Sequence, residues 1–238
     1  LAGIVAIYFD PVTQMKYPEH TSTRFDAELT AVCASVQKMG ASVESQLRLA
    51  LESLASGDLM TIDRVIDDGH VVNAMEVEID EKCTEILVRR QPTANDLRLV
   101  TAVIKTINDL ERIGDEAENI ARMSKVVAQK QPYHFPCYLQ MQHTAGIALE
   151  MLRAALDAFD SMDVDAAKMV GRKDVLVDDE FRIILRHLVA YMMEDTSALA
   201  STLQAAFVAR AIERIGDHAK HMSEYVVYMV EGRESRNY

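Results

Sequence analysis

From Phe25 onward, apolar residues fall at Phe25, Leu29, Val32, Val36, Met39, Val43, Leu47, Ala50 and Leu54, in steps of four and three. That rhythm keeps a single face of a helix apolar. One helix is predicted over all nine positions, ending near Ser56-Gly57, where glycine can take the left-handed stop conformation. Asp58 stands ready to cap the next helix. A second stripe runs through Leu59, Ile62, Ile66, Val72, Met75, Ile79, Cys83 and Ile86 to Arg89-Arg90, basic residues suited to a helix C-terminus. Pro92 breaks this helix. Thr93 with Asp96 resembles a capping box, and Leu97, Val100, Ile104 and Ile107 open a third helix reaching to about Gln129.

The segment KQPYHFPC, residues 130–137, holds two of the chain's five prolines and is its clearest linker. Beyond it the pattern recurs, with helices predicted at Tyr138 to Ser161, Asp163 to Met193 and Thr196 to Glu231, closed by Gly232. The recurrence is also literal. Glu111-Arg-Ile-Gly-Asp115 returns as Glu213-Arg-Ile-Gly-Asp217, 102 positions later. Val72-Asn73 matches Val177-Asp178, Ile79 matches Ile184, and Ala50-Leu51-Glu52 matches Ala155-Leu156-Asp157, all displaced by 105. A duplicated all-α chain is therefore expected, with six long helices as two tandem three-helix bundles related by a pseudo-twofold. Its expected parts are an N-terminal extension at 1–20, a first repeat at 21–131 and a second at 137–238.

Composition strengthens the helical reading and narrows the function. Only 9 Gly, 5 Pro and no Trp among 238 residues suit long helices with few turns. The formal charge is −12. So acidic a surface repels phosphate backbones and anionic lipid, which argues against nucleic-acid binding. The apolar stretch Leu1 to Phe9 is too short to span a bilayer, so no direct membrane insertion is expected. Cys33, Cys83 and Cys137 are far apart and lack Cys-x-x-Cys spacing, which fits a reducing cytosol. The methionines are expected mainly in the core.

The repeated acids carry the candidate chemistry. A spacing of four places Glu111 and Asp115 on one helix face roughly 6 Å apart, and Glu213 and Asp217 likewise. Such like charges need water, a neighbouring arginine such as Arg112, or a hard cation. Folding the second and third helices back at Gln91 sets Glu111 opposite Val72-Asn73 and Asp115 opposite Asp67-Asp68, with Glu76 and Asp80 a turn away. The same operation at Asp195 brings Glu213 near Val177-Asp178 and Asp217 near Lys173-Asp174. A solvated, ion-paired face and a carboxylate metal site both remain open on spacing alone. Gly114 and Gly216 are expected to permit close helix approach. His218 and His221 offer nitrogen donors in the second copy only, ranked below the carboxylates. Arg89, Arg90 and Arg98 form either a phosphate-contacting patch or, preferably, helix-end charge compensation. Phosphate loops, dinucleotide fingerprints, nucleophile elbows and zinc-protease motifs are missing, and Asp67-x-x-His70 is the single approach to a di-iron Glu-x-x-His motif.

The two ERIGD segments, together with Glu76-Val-Glu-Ile-Asp80, the stretch from Arg89 to Arg98, Leu156-Asp-Ala-Phe159 and Tyr191-Met-Met-Glu-Asp195, closely resemble the PhoU family of bacterial phosphate-signalling proteins. The resemblance covers about His20 to Arg236. It implies metal clusters on Glu/Asp-x-x-x-Asp motifs of a protein without catalysis, here on Glu76, Asp80, Glu111 and Asp115 in the first half and Glu213 and Asp217 in the second, with Asp174 retained beside them; the fold-back register adds Asn73 and Asp178 as candidate metal ligands, and His221 adds a nitrogen donor. Carboxylate-rich sites select Mg, Ca or Mn, and Fe or Zn where an imidazole joins, so a divalent or transition metal ion (Fe, Mn, Zn or Mg) is expected. Three departures stand out. Gly69 replaces an acid that Asp174 retains, Arg182 takes the place of the second acid in Asp178-Asp-Glu-Phe-Arg182, and His221 replaces a usual Asn.

The same resemblance implies a cytoplasmic homodimer, peripheral to the inner membrane through its partners. Those partners would be the ATPase of a phosphate importer (PstB-like) and a sensor histidine kinase (PhoR-like), and the role would be to restrain both the starvation response and phosphate uptake. The alternative is a carboxylate-bridged metal-dependent enzyme or a metal-storage bundle.

Overall fold

The computed structural model describes residues 23–129 and 135–232; the expected extension at 1–20 and the first part of the linker lie outside the described residues. Helix α1 spans Thr23–Ser56, α2 Leu59–Arg90, α3 Ala94–Ala128, α4 Tyr138–Ser161, α5 Val164–Glu194 and α6 Leu199–Glu231, the last preceded by a 3-10 turn at Thr196–Ala198. No strand occurs among the described residues.

Local chemistry accounts for the boundaries. Gly57 at φ 64° and Gly232 at φ 69° take the left-handed conformation just beyond α1 and α6, where the Cβ of another residue would be strained. Asp58 accepts from the backbone N–H groups of Met60 and Thr61, and Asp163 does the same for Asp165 and Ala166, which satisfies amides left free at each helix start. Thr93 caps α3 by position only, because its side chain makes no capping hydrogen bond. The Thr93 half of the expected capping box is thus not made.

All nine apolar positions foreseen for α1 are buried. Each fully buried Leu or Ile contributes about 1.5–3 kcal/mol from water exclusion, so this one face is a major part of the core. For α3 the expected stripe is incomplete. Leu97 is exposed, while Leu99, Val103, Leu110, Ile113, Ala117 and Ile120 are buried. The reason is that α3 packs against α1, α2 and α6 together, so its apolar surface is far wider than one stripe. The methionines also depart from expectation. Met39, Met141, Met151, Met222 and Met229 are buried, yet Met60 and Met193 are more than four-fifths exposed.

The first three helices form one bundle and the last three another. The bundles join mainly through α3 against α6, with α1 against α4 beside them. Helices α3 and α6 run antiparallel, since Arg98 Nε donates to the Met229 carbonyl at 3.4 Å while Glu116 accepts from Arg214 at 2.9 Å. With the 102-residue repeat, this pairing sets Ile113 near Ile215, both almost wholly buried, at the pseudo-twofold axis. The two ERIGD segments therefore meet at the centre of the molecule.

The basic residues around Pro92 are engaged in ion pairs and a helix end. Arg90 grips Glu28 through two hydrogen bonds of 2.9 and 2.7 Å, Arg89 pairs with Glu85, and Arg98 reaches the end of α6. This is helix-end and inter-helix compensation rather than a free phosphate patch.

Candidate functional site

Gly114 and Gly216 decide how the acids meet. A Cβ on Gly114 would stand 3.3 Å from Val72 Cγ1, and one on Gly216 would stand 3.3 Å from Val177 Cγ1. These matched contacts bring α2 onto α3 and α5 onto α6 at equivalent heights. They also correct the fold-back estimate for the first half. Val72 faces Gly114, Gly69 faces Glu118, and Asp63 pairs with Lys125 at 2.7 Å, so Glu111 lies level with Glu76 rather than with Val72-Asn73. The offset is about one helical turn, because the glycine–valine contact sets the register instead of the turn at Gln91.

In the first half, Glu111 is held above its ordinary pKa by burial first and then by the charges of Asp115 and Glu76, against the pull of Arg112. Asp115 is raised too, chiefly by burial. Arg112 sits 3.6 Å from Glu111 and 3.7 Å from Asp115, a loose pairing from the exposed side. Asp80 is half-buried and its charge acts on Cys83, whose thiol burial pushes up to about 12, so that cysteine is inert at neutral pH. Asn73 is exposed.

The second half gathers more acid. Glu213 is raised by burial, then by Asp217, Asp178 and Asp174, and Asp217 is raised by burial, then by Asp174 and Asp178. Four carboxylates from α5 and α6 thus converge, although Val177 meets Gly216 rather than Glu213, so the fold-back at Asp195 is also off by nearly a turn. Arg210 holds Oε1 of Glu213, and Lys220 pairs with Asp174 at 2.7 Å. Glu213 Oε2, however, is buried without a hydrogen-bond partner. A buried oxyanion oxygen lacking a donor is costly, and a cation is the ligand that its chemistry fits.

The valine–glycine contacts also realign the helix 2 motif. With α5 displaced by 105 residues, Asn73 corresponds to Asp178 and Glu76 to Phe181, so Arg182 does not occupy the place of an acid. Phe181 lies under the Arg210 guanidinium at 5.7 Å. Arg182 instead pairs with Asp178 and Asp179 at 3.8 and 2.7 Å. The Gly69 departure is real in three dimensions, since Glu118 faces Gly69 where Lys220 faces Asp174.

A further group lies on the seam between the bundles. Asp109 of α3, which the sequence pattern did not single out, meets His218 and His221 of α6, with Nδ1 atoms 2.7 and 3.7 Å from its Oδ1. One ligand atom from each of the three residues falls within 4.8 Å of the others, so this Asp/His cluster can hold a metal ion. Although burial alone would raise Asp109, hydrogen bonds from His218, His221 and Tyr225 leave it below the usual carboxylate range. Hydrogen bonding to Asp109 in turn raises His221. Beside the cluster opens a cleft of about 450 Å³ whose walls include Arg112, Asp115, Asn119, Arg210 and Asp217. The signal for Asp109 was the asymmetry of the repeat: its counterpart is Ala211, and the counterpart of His218 is Glu116.

Comparison with known proteins shows what these halves are similar to. The PhoU domain model matches residues 36–124 and 141–226, one match in each bundle. The chain is 44% identical over 221 residues to the phosphate-specific transport system accessory protein PhoU of Edwardsiella tarda, covering 92% of this chain and 89% of that protein. It is 42% identical to the protein of the same name from Escherichia coli K12, covering 92% and 90%. The crystal structure of PhoU from Pseudomonas aeruginosa superposes with a TM-score of 0.85 at 40% identity, over 88% of this chain and all of that one. The phosphate transport system regulatory protein PhoU from Streptococcus pneumoniae superposes at 0.82 with 25% identity, over 90% of this chain and all of that one.

Proposed function

The chain belongs to the PhoU family, and from that membership we propose that it represses the phosphate-starvation response and restrains high-affinity phosphate uptake as a metal-binding adaptor. An accessory and regulatory role in phosphate transport follows from the family itself, whose named members are accessory or regulatory proteins and not enzymes. The finer reading is that the adaptor links the importer ATPase to a membrane sensor histidine kinase. No described helix is long and apolar enough to cross a membrane, which suits a protein that reaches the membrane through partners.

The metal component of this reading is supported by the orphaned Glu213 Oε2 and by the mutually repelling acids around it. Glu111, Asp115 and Glu76, with Asn73 and Asp80 on the same helix, would hold the first cation; Glu213, Asp217, Asp174 and Asp178 would hold the second. The oxygen donors favour Mg or Mn, and Fe or Zn where an imidazole joins. A homodimer, or a partner seated on α6, is supported by Leu199, Leu203 and Phe207, which recur every four residues and are each about half exposed.

The observation that carries the proposal is that the family model matches both halves of the chain. Its test is deletion and complementation. Cells lacking the gene are expected to express starvation genes in ample phosphate, and the wild-type gene restores repression. Normal repression in the deletion strain would end the regulatory reading.

A further inference from the structure

We propose that Asp109, His218 and His221 form a transition-metal site that ties the two bundles together across the α3–α6 seam, separate from the acidic motifs. The ligand class is a divalent cation of borderline softness, Zn(II) being the reference case, because two imidazoles and one carboxylate suit such ions better than Mg or Ca.

The geometry supports this in four ways. First, the donors converge from different helices. His218 and His221 lie three residues apart on α6, so both rings project from one face, and Asp109 arrives from α3. Second, the spacing is close to what a cation requires. A tetrahedral Zn(II) with bonds of about 2.0–2.2 Å keeps its donors roughly 3.3–3.5 Å apart. The Asp109 Oδ1 to Nδ1 distances are 2.7 Å for His218 and 3.7 Å for His221, so adjustments below an ångström bring both to that value. The cation would take the place of the proton between the ring and the carboxylate.

Third, the surroundings resemble those of a built site. The Asp109 side chain is only 10% exposed. The Tyr225 hydroxyl helps to hold the Asp109 carboxylate below the usual carboxylate range, as an outer partner of a metal ligand does. The two imidazoles stand edge to face, with centroids 6.0 Å apart and planes at 79°, leaving room between them. Fourth, there is an entry path. Both histidines line the 450 Å³ cleft, so the fourth position would face solvent and take water.

Because one ligand belongs to the first bundle and two to the second, cation binding here fixes the seam itself. The repeat does not duplicate this site, since Ala211 and Glu116 stand at the equivalents of Asp109 and His218. It exists once per chain and does not depend on the ERIGD carboxylates.

The test uses the full chain, stripped by chelator and titrated with Zn(II) by calorimetry and with Co(II) by visible absorption. Two variants separate the sites: His218→Gln with His221→Gln removes the imidazoles, and Asp115→Asn with Asp217→Asn disarms the motif acids. The expected result is one strong Zn(II) equivalent and tetrahedral Co(II) absorption in the wild type and in the acid variant. The histidine variant should lose both, with affinity falling by more than the roughly 10- to 100-fold that loss of an outer-shell partner costs. Equal Zn(II) affinity in the histidine variant overturns the proposal. So does loss of the strong equivalent in the acid variant, or no Zn(II) binding by the wild type. Should the histidine variant fail to fold, the imidazole NMR signals of the wild type decide. Shifts of both rings on adding one equivalent of Zn(II) support the site, and unmoved rings refute it.

Discussion

Arg214 of the second ERIGD segment crosses the seam to Glu116 of α3 and places its guanidinium nitrogen 2.9 Å from the carboxylate. Glu116 is nearly buried, whereas Arg214 is half exposed, so the arginine supplies charge to a group that solvent reaches only slightly. The pseudo-twofold mate of this pair is Arg112 with His218. A seam that is an ion pair on one side of the axis thus has an imidazole on the other.

Removing the two partners of this pair should have unequal effects. Arg214→Met leaves a buried carboxylate with only the weaker contact from Asn119, at 3.2 Å, and is expected to destabilise the chain by about 1–3 kcal/mol. Glu116→Gln leaves an exposed cation in water and should cost less, within about 1 kcal/mol. Chemical unfolding of the two single variants and the double variant gives the comparison. Equal costs would show that the buried carboxylate is already satisfied by other groups.

The glycine–valine contacts lead to a second expectation. Gly216→Ala improves intrinsic helix propensity by about 1 kcal/mol, while the new Cβ presses on Val177 Cγ1 at 3.3 Å. The two effects should nearly cancel. Gly216→Val adds branches with nowhere to go and is expected to destabilise by about 1–3 kcal/mol. Calorimetric unfolding of both variants checks this, and a Gly216→Val protein as stable as the wild type would mean that α5 and α6 part easily.

These contacts also show what the sequence could and could not reveal. Apolar periodicity located every helix, and the literal repeat gave the pseudo-twofold, because both are recorded in local spacing. The register of α2 on α3 was missed by a turn because it depends on where Val72 meets Gly114, a contact between distant residues. Asp109 escaped notice for a similar reason. Within α3 it is one acid among several, and it acquires partners only when α6 docks antiparallel and delivers His218 and Tyr225. The register of α5 on α6 was missed by nearly the same amount, since Val177 meets Gly216 rather than Glu213, yet the acids of the second half still converge because Asp174 and Asp178 lie a turn apart on the α5 face that meets α6.

The orphaned oxygen of Glu213 suggests that neutralising the second acidic group relieves strain in the metal-free protein. Glu213→Gln with Asp217→Asn is expected to raise the metal-free unfolding midpoint by about 2–4 °C, equivalent to about 1 kcal/mol for a chain of this size. The same variant should lose most of the additional rise that Mn(II) gives the wild type by mass action. Thermal scans with chelator and with excess Mn(II) test both halves of the expectation. If Mn(II) raises the midpoint of both proteins equally, those acids do not bind it.

The pH dependence of stability offers a separate check on all four motif acids. Glu111, Asp115, Glu213 and Asp217 all have folded-state pKa values raised above their ordinary values of 4.5 for Glu and 3.8 for Asp. In the folded protein each therefore binds a proton more readily than in the unfolded chain. That contribution to stability is fully present below the ordinary values and is lost as pH rises through the folded-state values. Asp109 and His221 titrate as well, in opposite senses, but they are unchanged in a variant carrying Glu111→Gln, Asp115→Asn, Glu213→Gln and Asp217→Asn. To first order their influence cancels in the difference between the two proteins. Without metal, the stability of the wild type relative to this variant should decline as pH rises above the ordinary carboxylate values of 4.5 and 3.8. With excess Mn(II) the trend should reverse, since cation binding requires the deprotonated acids and strengthens as they ionise. Denaturant unfolding across that range measures the difference directly. A flat difference without metal would show that the four acids are as well solvated in the fold as in the open chain.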